Sequence, residues 1–145
     1  LPLLAEAAQA SLKEIGIEVD INNTLDVNEV VQDASAWDVY AMANVQAPTG
    51  DPEYWFRVFA LSDSAKNQGK YSNAQLDALD EQLSQEFDTA KRADLAVQMQ
   101  QILLDDNAFV FCSFLKMSMI SRSNVSNYTS HACDYYQITA DLDIE

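Results

Sequence analysis

Apolar residues recur at Leu4, Ala8, Leu12 and Ile15, the spacing of one helical face, and Gly16 follows where a left-handed stop is wanted. The period then changes to two. Ile17, Val19 and Ile21 alternate with acidic residues, and Val39, Ala41 and Ala43 share one face in "WDVYAMANV", so both segments are expected to be strands. Between them "NTLDVNEVVQDAS" reads as a short helix and turns. Helical spacing returns with Leu76, Leu79 and Leu83 behind "SNAQ" at 72–75, which fits a capping box. Leu95, Met99, Ile102 and Leu103 put a core face on a further helix from about Asp88 to Asp106. "FVFCSFL" and "KMSMIS" are strand candidates after it. In the closing "YQITADLDIE", Ile138, Ala140, Leu142 and Ile144 alternate with polar residues, which predicts a strand or extended tail with one wet face.

This order predicts an α/β fold with a mixed sheet and a neighbouring pair of helices near 73–86 and 89–106. Neither a repeat nor a low-complexity linker divides the chain, so 1–145 is expected to be a single domain. The first helix has no preceding parallel strand to pack on, as expected of a piece of a longer chain. The 145 residues, 48% of them hydrophobic, suffice for a core. A net charge of −15, from 8 Lys+Arg against 23 Asp+Glu, repels phosphate backbones and argues against a nucleic-acid partner. "NAFVFCSFLKMSMI" is too short and too interrupted to span a bilayer. Two cysteines, Cys112 and Cys133, match neither a zinc set nor a dense disulfide framework.

Local design is concentrated in "APTGDPEYWFRVF". One glycine and two prolines fall within Pro48–Pro52, directly before Tyr54, Trp55, Phe56 and Phe59. Asp51, Pro52 and Glu53 supply a side-chain cap, a ring pre-set for a first turn and an acid at the positive end of the dipole, so a short helix is expected over 52–61. Its rings cannot all face one core, because Trp55 and Phe59 share a face that Phe56 does not. Two readings stand: an aromatic helix buried on both sides, or a ligand-facing surface at the end of a strand, where open α/β sheets place ligands.

Other chemistry is sparse. Ser130, His131 and Asp134 contain the residue types of a nucleophilic triad, but triad partners converge from distant segments and no nucleophile elbow surrounds them. His131 with Cys133 or Asp134 gives too few ligands for a closed metal site, and a solvated turn explains all three. Met117, Met119 and Cys112 suit a soft cation in principle and core packing in practice. Asp105 and Asp106 end a helix before an apolar strand, and no glycine-rich phosphate loop is present.

The ordered set "LAEAAQASLKEIGIEVDI", "WDVYAMANV", "GDPEYWFRVF", "GKYSNAQLDALDEQL" and "DTAKRADLAVQMQQILLDDNAFVFCSF" resembles the carboxy-terminal lobe of the extracytoplasmic solute-binding proteins (family 5) of peptide and nickel ABC importers. The resemblance covers nearly the whole chain. It implies one lobe of a two-lobe, class II periplasmic-binding-protein-like clamp, a missing amino-terminal lobe of the same chain, and delivery of a solute to a membrane permease. A periplasmic or cell-surface lipoprotein location, no cofactor and no catalysis are implied with it. The aromatic turn then becomes one wall of the cleft, with Asn44, Gln46, Thr49, Asp51, Tyr54 and Trp55 as ligand-facing residues. Peptide binders of this kind often carry an acid three positions ahead of "DP", where this sequence has Pro48. The nickel-type pattern puts a histidine in the following loop, where "LSDSAKNQGKYS" has none. Oligopeptide and nickel chelate both remain open as cargo, and a chelate would meet Asn44, Tyr54 and Trp55 rather than protein imidazole. The alternatives are a small serine hydrolase using Ser130 and His131, and a protein-interaction domain without a small-molecule ligand.

Overall fold

The computed structural model of the chain describes residues 1–116, 118–131 and 138–144. Five helices are present among them: α1 (Pro2–Glu14), α2 (Val27–Gln32), α3 (Glu53–Phe59), α4 (Ala74–Leu83) and α5 (Thr89–Asp105). Two short strands, β1 (Val125–Ser126) and β2 (Asp143–Ile144), pair antiparallel with Val125 opposite Ile144.

The expected helical pair forms as read. Leu76, Leu79 and Leu83 of α4 pack with Ala96, Met99 and Leu103 of α5, and Phe56, Ala60 and Leu61 from α3 and its end complete the cluster. Leu76, Leu83, Met99 and Leu103 are fully buried. Each such side chain stabilises the fold by about 1.5–3 kcal/mol relative to exposure. The cap of α4 lies one residue later than the capping box predicts. Asn73 Oδ1 accepts from the backbone N–H of Gln75 (2.9 Å) and Leu76 (3.1 Å), while the Ser72 hydroxyl accepts from Ser62. Asp88 caps α5 through the N–H of Lys91 at 3.0 Å.

The loop between α3 and α4 is held from inside. Asn67, 3% exposed, donates to the carbonyls of Leu61 and Tyr71 and accepts from the Tyr71 N–H, which satisfies its buried amide. At the far end of the pair, Asp106 accepts from the Tyr71 hydroxyl (2.6 Å) and from Asn73 (2.8 Å), tying the end of α5 to the start of α4. Burial, and then the neighbouring Asp106, push the Tyr71 phenol up to about 12.

The strand expectations need correction. Segments 17–21, 37–45 and 109–116 carry no ladder, and the two-stranded β1–β2 ribbon is the only sheet among the described residues. The observed fold is therefore mixed helices with a small sheet rather than helices layered on a mixed sheet. Alternation specifies which face of a strand is apolar, but a strand exists only where a neighbour meets its N–H and C=O groups. Here the apolar faces stand open: Val39, Val110 and Ile120 are each at least 85% exposed. Among the described residues of the closing segment, 138–144, only Asp143–Ile144 pairs, after a turn at 140–141. α1 buries no residue, and Gly16 ends it at a φ of +83°, the left-handed stop expected there.

Candidate functional site

The aromatic turn is built from local chemistry outward. Gly50 takes a φ of +82°, and its N–H donates to the Ala47 carbonyl at 2.9 Å, reversing the chain. Asp51 Oδ1 then accepts from the Glu53 N–H at 2.9 Å and starts α3. The first helical residue is Glu53, so the helix is shorter at both ends than the sequence predicts.

Asp51 is also held from a distance. Arg92 of α5 grips it in a fork, Nε to Oδ2 at 3.0 Å and Nη2 to Oδ1 at 2.9 Å, and the same Nη2 reaches Glu53 Oε2 at 2.7 Å. Nη1 donates to the carbonyls of Leu83 and Glu86. α4 has no basic residue in its own last turn, so Arg92 supplies the cation at that carbonyl end. Five acceptors thus converge on one guanidinium. The hydrogen bonds from Arg92 hold the Asp51 carboxyl below its usual range, and those to Asp51 and then Glu53 raise the Arg92 guanidinium. Glu53 also pairs with Arg57 at 3.0 Å, and Arg57 reaches Asp80 at 3.2 Å. Asp80 is buried, and its Oδ1 has no hydrogen-bond partner, so burial raises its pKa although Arg57 opposes the shift.

Of the six residues expected to face ligand, the structure commits Asp51 to Arg92 and gives Trp55 a mixed position. Trp55 is half-buried, with ring centroids 5.1 Å from Phe109, 5.7 Å from Phe111, 5.8 Å from Phe56 and 6.0 Å from Phe59. The ring therefore joins the core to a shelf whose outer member, Phe111, is 50% exposed. Tyr54 is exposed, as are Gln46 and Thr49, and Asn44 is half-buried. Among the described residues no hydrogen bond engages the side chains of Asn44, Gln46, Thr49 or Tyr54.

Arg92, Phe109 and Phe111 were not singled out in the sequence. The usable signal for Arg92 was scarcity: only Arg57, Arg92 and Arg122 are arginines among 23 acidic residues, and "GDPE" presents two acids that need a partner. Ser130 and His131 are both exposed, while Asp134, Cys133 and Met117 lie outside the described residues. Among the described residues no cluster of three or more His, Cys, Asp or Glu side chains forms a metal site, and no helix is long and apolar enough to cross a membrane.

With this geometry in view, the chain proves homologous to nickel-binding proteins of ABC transporters, and the resemblance read from its motifs holds. Its sequence is 28% identical over 128 residues to the nickel-binding protein NikA of Staphylococcus aureus, covering 88% of this chain and 26% of that protein. Its backbone matches a crystal structure of NikA from Staphylococcus aureus in complex with Ni(L-His)2, with a TM-score of 0.82 and 25% identity, over 100% of this chain and 31% of that one. A nickel ABC transporter structure from Bacillus halodurans matches with a TM-score of 0.74 and 26% identity, over 99% and 30% of the two chains. The chain thus spans less than a third of the length of these relatives. No protein-family model matches it.

Proposed function

We propose that the protein containing this chain is the solute-binding component of an ABC importer, and that these residues form the carboxy-terminal lobe of a two-lobe clamp. The observation that carries the reading is the match along the whole chain to a relative solved with Ni(L-His)2 bound. In this reading the cargo is a nickel chelate, with oligopeptide as the competing class. The lobe performs no chemistry on it. Asn44, Gln46, Thr49, Tyr54 and Trp55 line one wall, with Asp51 fixing that wall from behind. A second lobe of the same chain closes the site outside the cytoplasm and hands the solute to a membrane permease.

The residue inventory supports a chelate over a bare ion. His131 is the single histidine of these 145 residues, so this lobe alone cannot cage a bare ion, since first-row divalent ions require several donors converging on one point. An aromatic shelf with uncommitted amide and hydroxyl groups suits the outer surface of an already coordinated metal. The test is calorimetry on the longer protein with Ni(L-His)2, with nickel alone and with short peptides. Binding is expected for Ni(L-His)2 and should survive His131→Ala. Tight binding of nickel alone that vanishes in His131→Ala, or peptide binding stronger than that of the chelate, would overturn this choice of cargo.

A further inference from the structure

We propose that Arg92 is the positioning residue of the ligand-facing wall: it sets where the 47–55 turn stands, and so controls ligand affinity without touching the ligand. This rests on the functional reading above.

Four observations converge. Besides the packing of Trp55 on Phe109 and Phe111, the turn is tied to α5 at Asp51 and Glu53, just ahead of Tyr54 and Trp55, and both carboxylates are bonded to the one guanidinium. The contact to Asp51 is a two-bond fork, which fixes orientation as well as distance. The Arg92 side chain is 17% exposed and that of Glu53 19%, so this pair is shielded more than a surface ion pair, while Asp51 at 39% is the more open partner. Finally, Nη1 is anchored on the Leu83 and Glu86 carbonyls at the end of α4, so the guanidinium cannot follow a turn that moves. The rigid α4–α5 pair thereby passes its position to the turn. Glu53, Arg57 and Asp80 form a second link from α3 back to α4. That link is weaker, because the Arg57 side chain is 53% exposed and reaches each carboxylate with the same Nη2 nitrogen.

Lysine at position 92 keeps the charge and most of the stem but replaces the fork with a point charge that cannot reach all five acceptors. The experiment therefore compares Arg92→Lys with Asp106→Asn in the longer protein. Asp106→Asn weakens the opposite end of the helical pair, at Tyr71 and Asn73, and removes no bond to Asp51 or Glu53. Calorimetry uses Ni(L-His)2 as the probe, and Trp55 emission is read without ligand as the difference between each protein and the same protein carrying Trp55→Phe. Arg92→Lys is expected to weaken binding about tenfold and to move Trp55 emission to longer wavelength. Asp106→Asn should change neither, even if it lowers the melting temperature. Unchanged affinity and emission in Arg92→Lys, or an equal loss of affinity in Asp106→Asn, would overturn the proposal. If the parent protein binds no Ni(L-His)2, the functional reading fails on its own. The emission of Arg92→Lys then decides the positioning claim, a shift supporting it and no shift overturning it.

Discussion

The stretch from α3 to α5 and the segments flanking it both carry regularly spaced apolar residues, and these meet opposite fates. Every buried hydrophobic residue among the described residues except Val31 lies between Phe56 and Leu103. The flanks instead expose Leu3, Ile15, Ile17 and Val39 on one side, and Val110, Phe114, Leu115 and Ile120 on the other. The contrast separates two requirements. A helix satisfies its backbone within itself and needs a neighbour only for its apolar stripe, which α4 and α5 provide for each other. A strand needs a neighbour for its backbone and another layer for its face; segments 17–21, 37–45 and 109–116 carry no ladder, and 109–116 is packed only at its start, through Phe109 and Phe111. The open apolar surface of the flanks fits a chain spanning less than a third of its relatives' length.

The largest test of this contrast is truncation of large apolar side chains to alanine in the two regions. Met99→Ala or Leu103→Ala should destabilise by about 2–5 kcal/mol, whereas Ile120→Ala should stay within about 0.5 kcal/mol, both read by urea denaturation of the 145-residue chain. Equal losses would mean that the flanks are as well packed as the helices. A smaller effect is expected at the start of α4. Asn73→Ala should cost about 1 kcal/mol, and Ser72→Ala less than that, because Asn73 holds the two orphan N–H groups.

Acid gives the finest discrimination, within the ion-pair network itself. Arg92 holds Asp51 below its ordinary 3.8, so the Asp51 contribution is fully present above that value and is lost as pH falls through the lower folded-state value. Asp80 behaves in the opposite sense. Burial raises it above 3.8, so its ionised form costs stability, and part of that cost is relieved as pH falls from the raised value towards 3.8. Stability measured from about pH 7 down to pH 3 should fall less steeply at the acid end in Asp51→Asn than in the parent. In Asp80→Asn it should fall more steeply, because the relief that protonation gives the parent is missing. Parallel curves for all three proteins would remove both residues from the network.

Helix positions were legible because Leu76, Leu79, Leu83, Met99 and Leu103 carry their periodicity within a short window. The turn was legible for the same reason, since Pro48, Gly50, Asp51 and Pro52 act on their own backbone. Strand pairing was not, because the alternation at Ile17, Val19 and Ile21 says nothing of a partner. The Arg92 fork and the meeting of Trp55 with Phe109 and Phe111 were hidden for a related reason. Each joins residues about forty or more positions apart, where no local spacing rule reaches. Of the site, the ring-bearing turn could be read from its residues; the parts that hold it still could not.

The same distances bear on the order of assembly. Five residues, 84–88, connect α4 to α5, so their meeting closes a short loop, whereas the Asp51–Arg92 contact closes one of 41 residues. The helical pair should therefore dock before the aromatic turn is captured, leaving the guanidinium fork unformed at the folding barrier. Weakening it with Arg92→Lys should then quicken unfolding in stopped-flow measurements while leaving refolding nearly unchanged. The arginine that grips the aromatic turn in the finished fold would, in time, be the last latch to close and the first to open.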